Sequence, residues 1–172
     1  MMDKKIQEAL NNQINYELFS AYLYLSMSAY FENGGLSGCA SWMNSQAQEE
    51  MVHALKMYNY IVECGGRVKL AAIGEPRFEW DSPVDVLKET LEHERGVTRR
   101  IYKIVDLAIE LKDHGTNQFL QWFVGEQVEE EATAEDILKK MELMKDAPGG
   151  MYLLDQEMGA RPALFTLPVA GG

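Results

Sequence analysis

Residues 65–82 read GGRVKLAAIGEPRFEWDS, between two long stretches of helical periodicity, and their length decides how those helices connect. The segment is too long for a tight turn and too rich in apolar residues for a floppy linker. The helix before it spans about residues 36–64, which is roughly 43 Å at 1.5 Å per residue. About 18 extended residues reach roughly 60 Å. The segment can therefore run the length of a helical bundle, leaving the helices on either side of it parallel.

Elsewhere the periodicity is also helical, and alternating polar and apolar runs are scarce. Breaks at ENGGLSG (32–38), DHGT (113–116) and DAPGG (146–150) complete the division. Helix one is expected over about 5–32, two over 36–64, three over 83–112, four over 116–145 and a short fifth over 149–158. The short breaks make antiparallel hairpins of helices one and two, and of three and four. Ser82 before Pro83 is an expected N-cap, with proline in the first turn. The predicted fold class is all-α: a four-helix bundle with one long crossover between helices two and three, plus a short fifth helix. It forms one domain over 1–158, followed by a C-terminal tail over 159–172.

The composition suits a folded, soluble chain, 47% hydrophobic and 25% charged. No apolar run approaches the length of a membrane span, and MMDKKIQEAL carries no signal-peptide core, so the expectation is a cytoplasmic protein with no membrane partner. Cys39 and Cys64 form no CxxC pair or disulfide framework, as suits a reducing compartment. A formal net charge of −11 argues against nucleic acid as a partner, because phosphate is bound by Lys and Arg. Acidic chains are commonly just soluble; the more specific reading is that the acid attracts cations.

Where the acid sits favours the second reading. On helix one, Glu17 lies within the stripe Leu10, Ile14, Ala21, Tyr24 and Phe31. On helix two, Gln46, Glu50 and His53 interrupt the face of Met43, Met57 and Tyr60. On helix three, Leu87, Leu91, Val97 and Ile101 flank Glu94. On helix four, Leu120, Phe123, Ala134 and Leu138 flank Gln127 and Glu130. Residues three, four or seven apart share a face, so each polar side chain should point inward. A single such Glu is ordinarily a solvated side chain with a packed stem. All four helices carry one near mid-length, and buried carboxylates need counter-charge. No inward Lys or Arg stands near these positions. Two divalent ions would balance Glu17, Glu50, Glu94 and Glu130, and the i,i+3 spacing lets Glu50 and His53 bind one metal from one turn. Carboxylates with a single imidazole suit iron or manganese better than structural zinc, although zinc can occupy such a site.

NYELFSAYLY around Glu17 and Tyr24, QAQEEMVH at 46–53, EHE at 92–94 and FLQWFVGEQVEEE at 119–131 together resemble the ferritin family. The order Glu…Glu-x-x-His…Glu…Gln-x-x-Glu is similar to that of its non-haem bacterial and archaeal members, and the likeness covers nearly the whole chain. The resemblance implies a ferritin-like bundle with an intra-subunit diiron ferroxidase centre. Glu17, Glu50 and His53 would hold one iron, and Glu50, Glu94 and Glu130 the second, with Glu50 bridging and Gln127 hydrogen-bonding nearby. Tyr24 would stand beside the metal ligands. A third iron site would fall on Glu49, Glu126, Glu129 and Glu130; the alternative for EQVEEE is an exposed acidic run. Fe²⁺ and O₂ or H₂O₂ would be the substrates. The product would be ferric mineral in a hollow homo-oligomer, a 24-mer, serving iron storage and detoxification. The second iron, lacking an imidazole, is expected to be held more loosely.

Haem-binding bacterioferritins are the nearest alternative. Met51 matches their haem-ligating methionine and does not exclude haem, but Gln127-x-x-Glu130 replaces their Glu and His and points away from it. Rubrerythrins would add CxxC pairs, which are absent. Mini-ferritins place their iron between subunits, whereas this chain supplies a full ligand set. A diiron enzyme whose metals stay put, or a bundle with no metal, are the remaining readings. His93 and His114 read as surface residues and Trp122 as packing. The tail GARPALFTLPVAGG is longer and richer in proline than the resemblance implies.

Overall fold

A computed structural model describes residues 2–166. It contains α1 (Lys4–Asn33), α2 (Ser37–Glu63), α3 (Pro83–Glu110), α4 (His114–Met144) and α5 (Gly150–Gly159), and no strand among the described residues. The expected all-α bundle with a crossover and a short fifth helix is therefore present. Helix ends fall within about two residues of the expected ones. Of the tail, 167–172 lie outside the described residues. No helix among them is long and apolar enough to cross a membrane.

The ends follow from local chemistry. Asp3 caps α1 by accepting from the Lys5 amide, and Ser82 caps α3 by accepting from the Asp85 amide, with Pro83 in the first turn. α1 and α2 stop at Gly35 and Gly65, both at positive φ. In each case the two amides beyond the helix turn back onto its last carbonyls: Gly35 and Leu36 to Glu32 and Phe31, Gly65 and Gly66 to Val62 and Ile61. α3 ends the same way with Lys112 in the left-handed position, φ 56°. Asp113 follows at once and caps α4 through the Thr116 amide and hydroxyl.

α1 and α2 pack as one hairpin, α3 and α4 as the other. The crossover is held along α1 by polar side chains of that helix. Gln7 accepts from the Arg67 amide, Asn11 brackets Arg67 and Lys69, Asn15 donates to the Ala72 carbonyl, and Ser26 donates to that of Arg77. Crossover residues 67 to 77 thus climb α1 from Gln7 to Ser26, as a full-length crossover requires. Buried Trp80 closes the climb, donating to Glu89 and meeting Tyr30 edge-on.

The apolar interior is divided. One cluster gathers Tyr24, Met27, Phe31, Met43, Leu87 and Met141; the other gathers Leu10, Ile14, Met57, Ile101, Leu120 and Phe123. A belt of buried polar residues lies between them at mid-length: Glu17, Gln46, Glu50, His53, Glu94 and Gln127.

α5 docks on the start of α2, where buried Asp155 accepts from the Cys39 amide at 2.9 Å. α2 has no N-cap side chain of its own, so Asp155 supplies that acceptor. The approach requires Gly38, because a Cβ there would lie 1.8 Å from the Asp155 carbonyl oxygen. Backbone cannot yield by that much, so Gly38→Ala is expected to displace α5 and cost about 3 kcal/mol. Denaturant melting measures this; a wild-type curve would show that α5 is not fixed by this contact.

Candidate metal centre

The centre is assembled from one turn of each long helix. Glu17 and Glu50 are fully buried, His53 is 3% exposed and Glu94 fully buried, whereas Glu130 is half-buried at the rim. One ligand atom each from Glu17, Glu50 and His53 lie within 4.8 Å of one another. Bonds of about 2.1 Å to one ion place ligand atoms roughly 3–4 Å apart, so a small closure completes this set. His53 Nδ1 stands 3.7 Å from Glu50 Oε2, and its ring is fixed edge-on by Trp122 and Phe123.

Hydrogen bonds divide the carboxylate oxygens unequally. Gln13 donates to Glu17 Oε1 at 2.9 Å. The Tyr24 hydroxyl donates to Glu94 Oε1, and Gln127 donates to Glu94 Oε2 at 3.1 Å. Gln46 donates to Glu130 Oε2 at 2.8 Å. Among the described residues, no amide, hydroxyl or cationic donor reaches Glu17 Oε2, either oxygen of Glu50, or His53 Nδ1; the Glu17 and Glu50 carboxyls have only each other, through a shared proton. Buried polar atoms normally find partners, because leaving one without costs free energy. The unpartnered atoms here face one another, and Glu50 alone among the four acids has both oxygens buried and free of amide or hydroxyl donors. The donor set therefore fits cations.

Electrostatics agree. Burial, then the charge of Glu50, pushes the Glu17 carboxyl well above the usual range; burial, then Glu94, does the same to Glu50. Burial also raises Glu94, against the hydrogen bonds from Tyr24 and Gln127, and pushes Glu130 up to about 7. Without a cation, burial and mutual repulsion favour protons on these acids more than on exposed carboxylates; a cation would compete with those protons for the same oxygens.

The absence of inward cations expected from the helix faces is corrected one hydrogen bond further out. Arg100 donates to Gln13 Oε1 at 2.9 Å, and Gln13 donates to Glu17. Arg161, beyond α5, donates to Gln46 Oε1, and Gln46 donates to Glu130. An arginine can only donate, so it turns each amide oxygen outward and each NH₂ toward a carboxylate. Neither relay follows from helical periodicity. His93 is a second correction: it is not an ordinary surface residue. Its ring stacks on Tyr16 at 5.2 Å, meets Tyr24 edge-on and bonds Ser20 through Nε2, and burial lowers its pKa to about 4. His114 is exposed at the start of α4, and Trp122 packs on His53 under the Lys56 ammonium. Met51 is 40% exposed, away from this centre.

The structure does not draw the remaining acids into one ligand group. Glu129 is exposed and Glu126 half-buried, while Glu49 pairs with Arg161 at 2.6 Å.

Known proteins place the chain in context. The family model described as Ferritin-like domain matches residues 7–144. A bacterial non-heme ferritin of Bacteroides fragilis (strain 638R) is 45% identical over 161 residues, covering 94% of this chain and all of the relative. One from Staphylococcus aureus (strain USA300) is 38% identical, covering 94% and 97%. The solved open pore ferritin of Archaeoglobus fulgidus superposes with a TM-score of 0.93 at 49% identity, covering 94% of this chain and all of that one.

Proposed function

Because the chain belongs to the ferritin family, and that family supports iron storage, we propose that it stores iron by oxidising Fe²⁺ at a diiron ferroxidase centre within each subunit. The observation that carries this is Glu50: fully buried, with neither oxygen given an amide or hydroxyl donor, grouped with Glu17 and His53 within 4.8 Å and close enough to Glu94 and Glu130 to feel their charges. A carboxylate so placed bridges two cations. Glu17, Glu50 and His53 hold the first Fe²⁺; Glu50, Glu94 and Glu130 hold the second.

Each ion gives one electron. With O₂ as oxidant, two Fe²⁺ and two protons yield two Fe³⁺ and H₂O₂; with H₂O₂ as oxidant, the same electrons and protons yield two waters. Tyr24 and Gln127 fix Glu94 by occupying one oxygen each, and the Gln13 and Gln46 amides leave Glu17 and Glu130 one free oxygen apiece. The second ion has no imidazole and lies against half-buried Glu130, so it leaves more readily and passes on as product. Glu49, Glu126, Glu129 and Glu130 are the proposed third site on that way out. Its destination is ferric mineral inside a 24-subunit shell in the cytoplasm, where copies of a chain of charge −11 gather cations. The Gln127-x-x-Glu130 pattern supports a reading without haem, and a Soret band in the purified protein would reverse it.

The test is stepwise addition of Fe²⁺ in air to metal-free protein, counting ferric ions kept soluble per chain. Tens or more per chain are expected. Saturation near two would mean a fixed diiron enzyme and would remove storage.

A further inference from the structure

The chain beyond α5 folds back onto α2 and delivers a fixed cation to the rim of the centre. Gln48 and Phe165 exchange two hydrogen bonds, Gln48 Nε2 to the Phe165 carbonyl at 3.0 Å and the Phe165 amide to Gln48 Oε1 at 3.1 Å. Between that clasp and docked α5, Arg161 lies over the Trp42 ring at 5.4 Å. One arm of its guanidinium donates to Gln46, the other to Glu49 Oε2 at 2.6 Å. The Arg161 and Glu49 side chains are 27% and 23% exposed, and Gln46 is 1% exposed, so this pair is more enclosed than an ordinary surface ion pair.

We propose that Arg161 is a positioning residue that restrains the metal count of the centre, by holding Glu49 away from a third ion. The inference rests on the diiron reading above. Three contacts fix the guanidinium: the Trp42 face, the Gln46 oxygen and Glu49. Through Gln46 it also keeps an NH₂ on Glu130 Oε2, so that acid offers its other oxygen to the second ion. A third cation at Glu49 meets a positive charge already bonded to Oε2 and must displace it or accept the remaining oxygen. Like charges a few ångströms apart, discounted for partial exposure, weaken such binding by about tenfold or more. The centre then fills its two enclosed positions first, and Glu49 opens to iron when the arm lifts.

Calorimetric titration of the metal-free assembled protein with Zn²⁺ tests this, read as sites per chain and the affinity of each. Wild type is expected to bind two ions tightly and a third weakly. Arg161→Gln, which keeps a donor and loses the charge, should tighten the third by about tenfold and leave the first within a fewfold. Arg161→Lys, which keeps the charge, should stay near wild type, and Glu49→Gln added to Arg161→Gln should cancel the gain. Ending the chain at Ala160 should reproduce the gain by another route. Two tight sites with an unchanged or weaker third in both Arg161→Gln and the shortened chain overturn this inference alone. A gain that survives Glu49→Gln also overturns it. Absence of tight sites from wild type overturns the diiron reading and this inference with it.

Discussion

Glu50→Gln is expected to abolish paired metal binding, slow Fe²⁺ oxidation by about a hundredfold or more, and raise the melting temperature of the metal-free protein. Loss of partners around a metal ligand already costs about 10–100-fold in affinity or activity, and Glu50 is the proposed ligand of both ions. An amide keeps the shape of the side chain but has no second anionic oxygen with which to bridge. The stability change runs the other way. Burial pushes the Glu50 carboxyl up, the charges of Glu94 and Glu130 push it further, and among the described residues only the Glu17 carboxyl offers it a hydrogen bond. Near neutral pH the metal-free fold is strained either by keeping that proton or by losing it, and a neutral amide has no proton to lose. Its NH₂ can also donate to Glu17 Oε2, which otherwise has no amide or hydroxyl donor. Stopped-flow oxidation and calorimetry with and without Zn²⁺ measure both halves. Wild-type oxidation in Glu50→Gln would dispose of the bridging assignment. A lowered metal-free melting temperature would make Glu50 a structural residue.

That opposition explains what could be read from the sequence. Apolar stripes of period 3.6, broken by Gly34-Gly35, Gly65-Gly66 and Gly149-Gly150, are strong local signals, and helix ends followed from them closely. The crossover followed from length, because 18 residues (65–82) can span a bundle and no short loop need be that long. Glu17, Glu50, His53, Glu94 and Gln127 were visible because each breaks an apolar face. Helical spacing places them inward, and they are buried, whereas Glu130, placed inward by the same spacing, is half-buried. Asp113 is less visible, since only Leu111 and Lys112 separate it from the end of α3 before it caps α4.

What escaped the sequence depends on contacts between elements without a shared period. Arg100 sits on the exposed-looking flank of α3 and reaches the centre only through Gln13 of α1. Arg161 lies beyond a helix that ends at Gly159, in a tail with no periodicity to place it on any face. His93 sits between two glutamates, one exposed and one buried; only the Tyr16, Phe19 and Tyr24 rings of α1 show that its own side is covered. Gln7, Asn11, Asn15 and Ser26 carry no motif, and their role as a ladder for the crossover appears only once its backbone lies against them. The signal available for the relays was the pair of glutamines, Gln13 and Gln46, each four residues before a buried glutamate on its own helix.

The metal-free protein should lose stability as pH rises, and bound metal should reverse that trend. Glu130 titrates near 7 in the fold against about 4.5 in the unfolded chain, and Glu94, Glu17 and Glu50 are also raised, the last two strongly. From about pH 4.5 upward the folded state therefore holds more protons than the unfolded state. Stability falls with pH wherever that is so, and the loss continues until the folded groups ionise. His93 opposes this over a lower window. Its pKa is lowered from 6.5 to about 4, so it binds fewer protons folded than unfolded between those values, and stability rises with pH there. Above about pH 6.5 His93 no longer contributes, and the carboxylates alone set the slope. The melting temperature of metal-free protein should drop between pH 6.5 and 8. Saturating Zn²⁺ displaces the same protons, so its affinity should climb about tenfold per pH unit for each proton released. Glu50→Gln and Glu130→Gln each remove one raised carboxyl while changing the chain's net charge by a single unit, so a flatter slope in both assigns the effect to the centre rather than to overall repulsion. Calorimetric melting at several pH values, with and without Zn²⁺, reads all of this. A metal-free melting temperature that rises from pH 6.5 to 8 would mean that the four acids are already ionised and balanced by other charges, which removes the reason for the buried belt to take up metal.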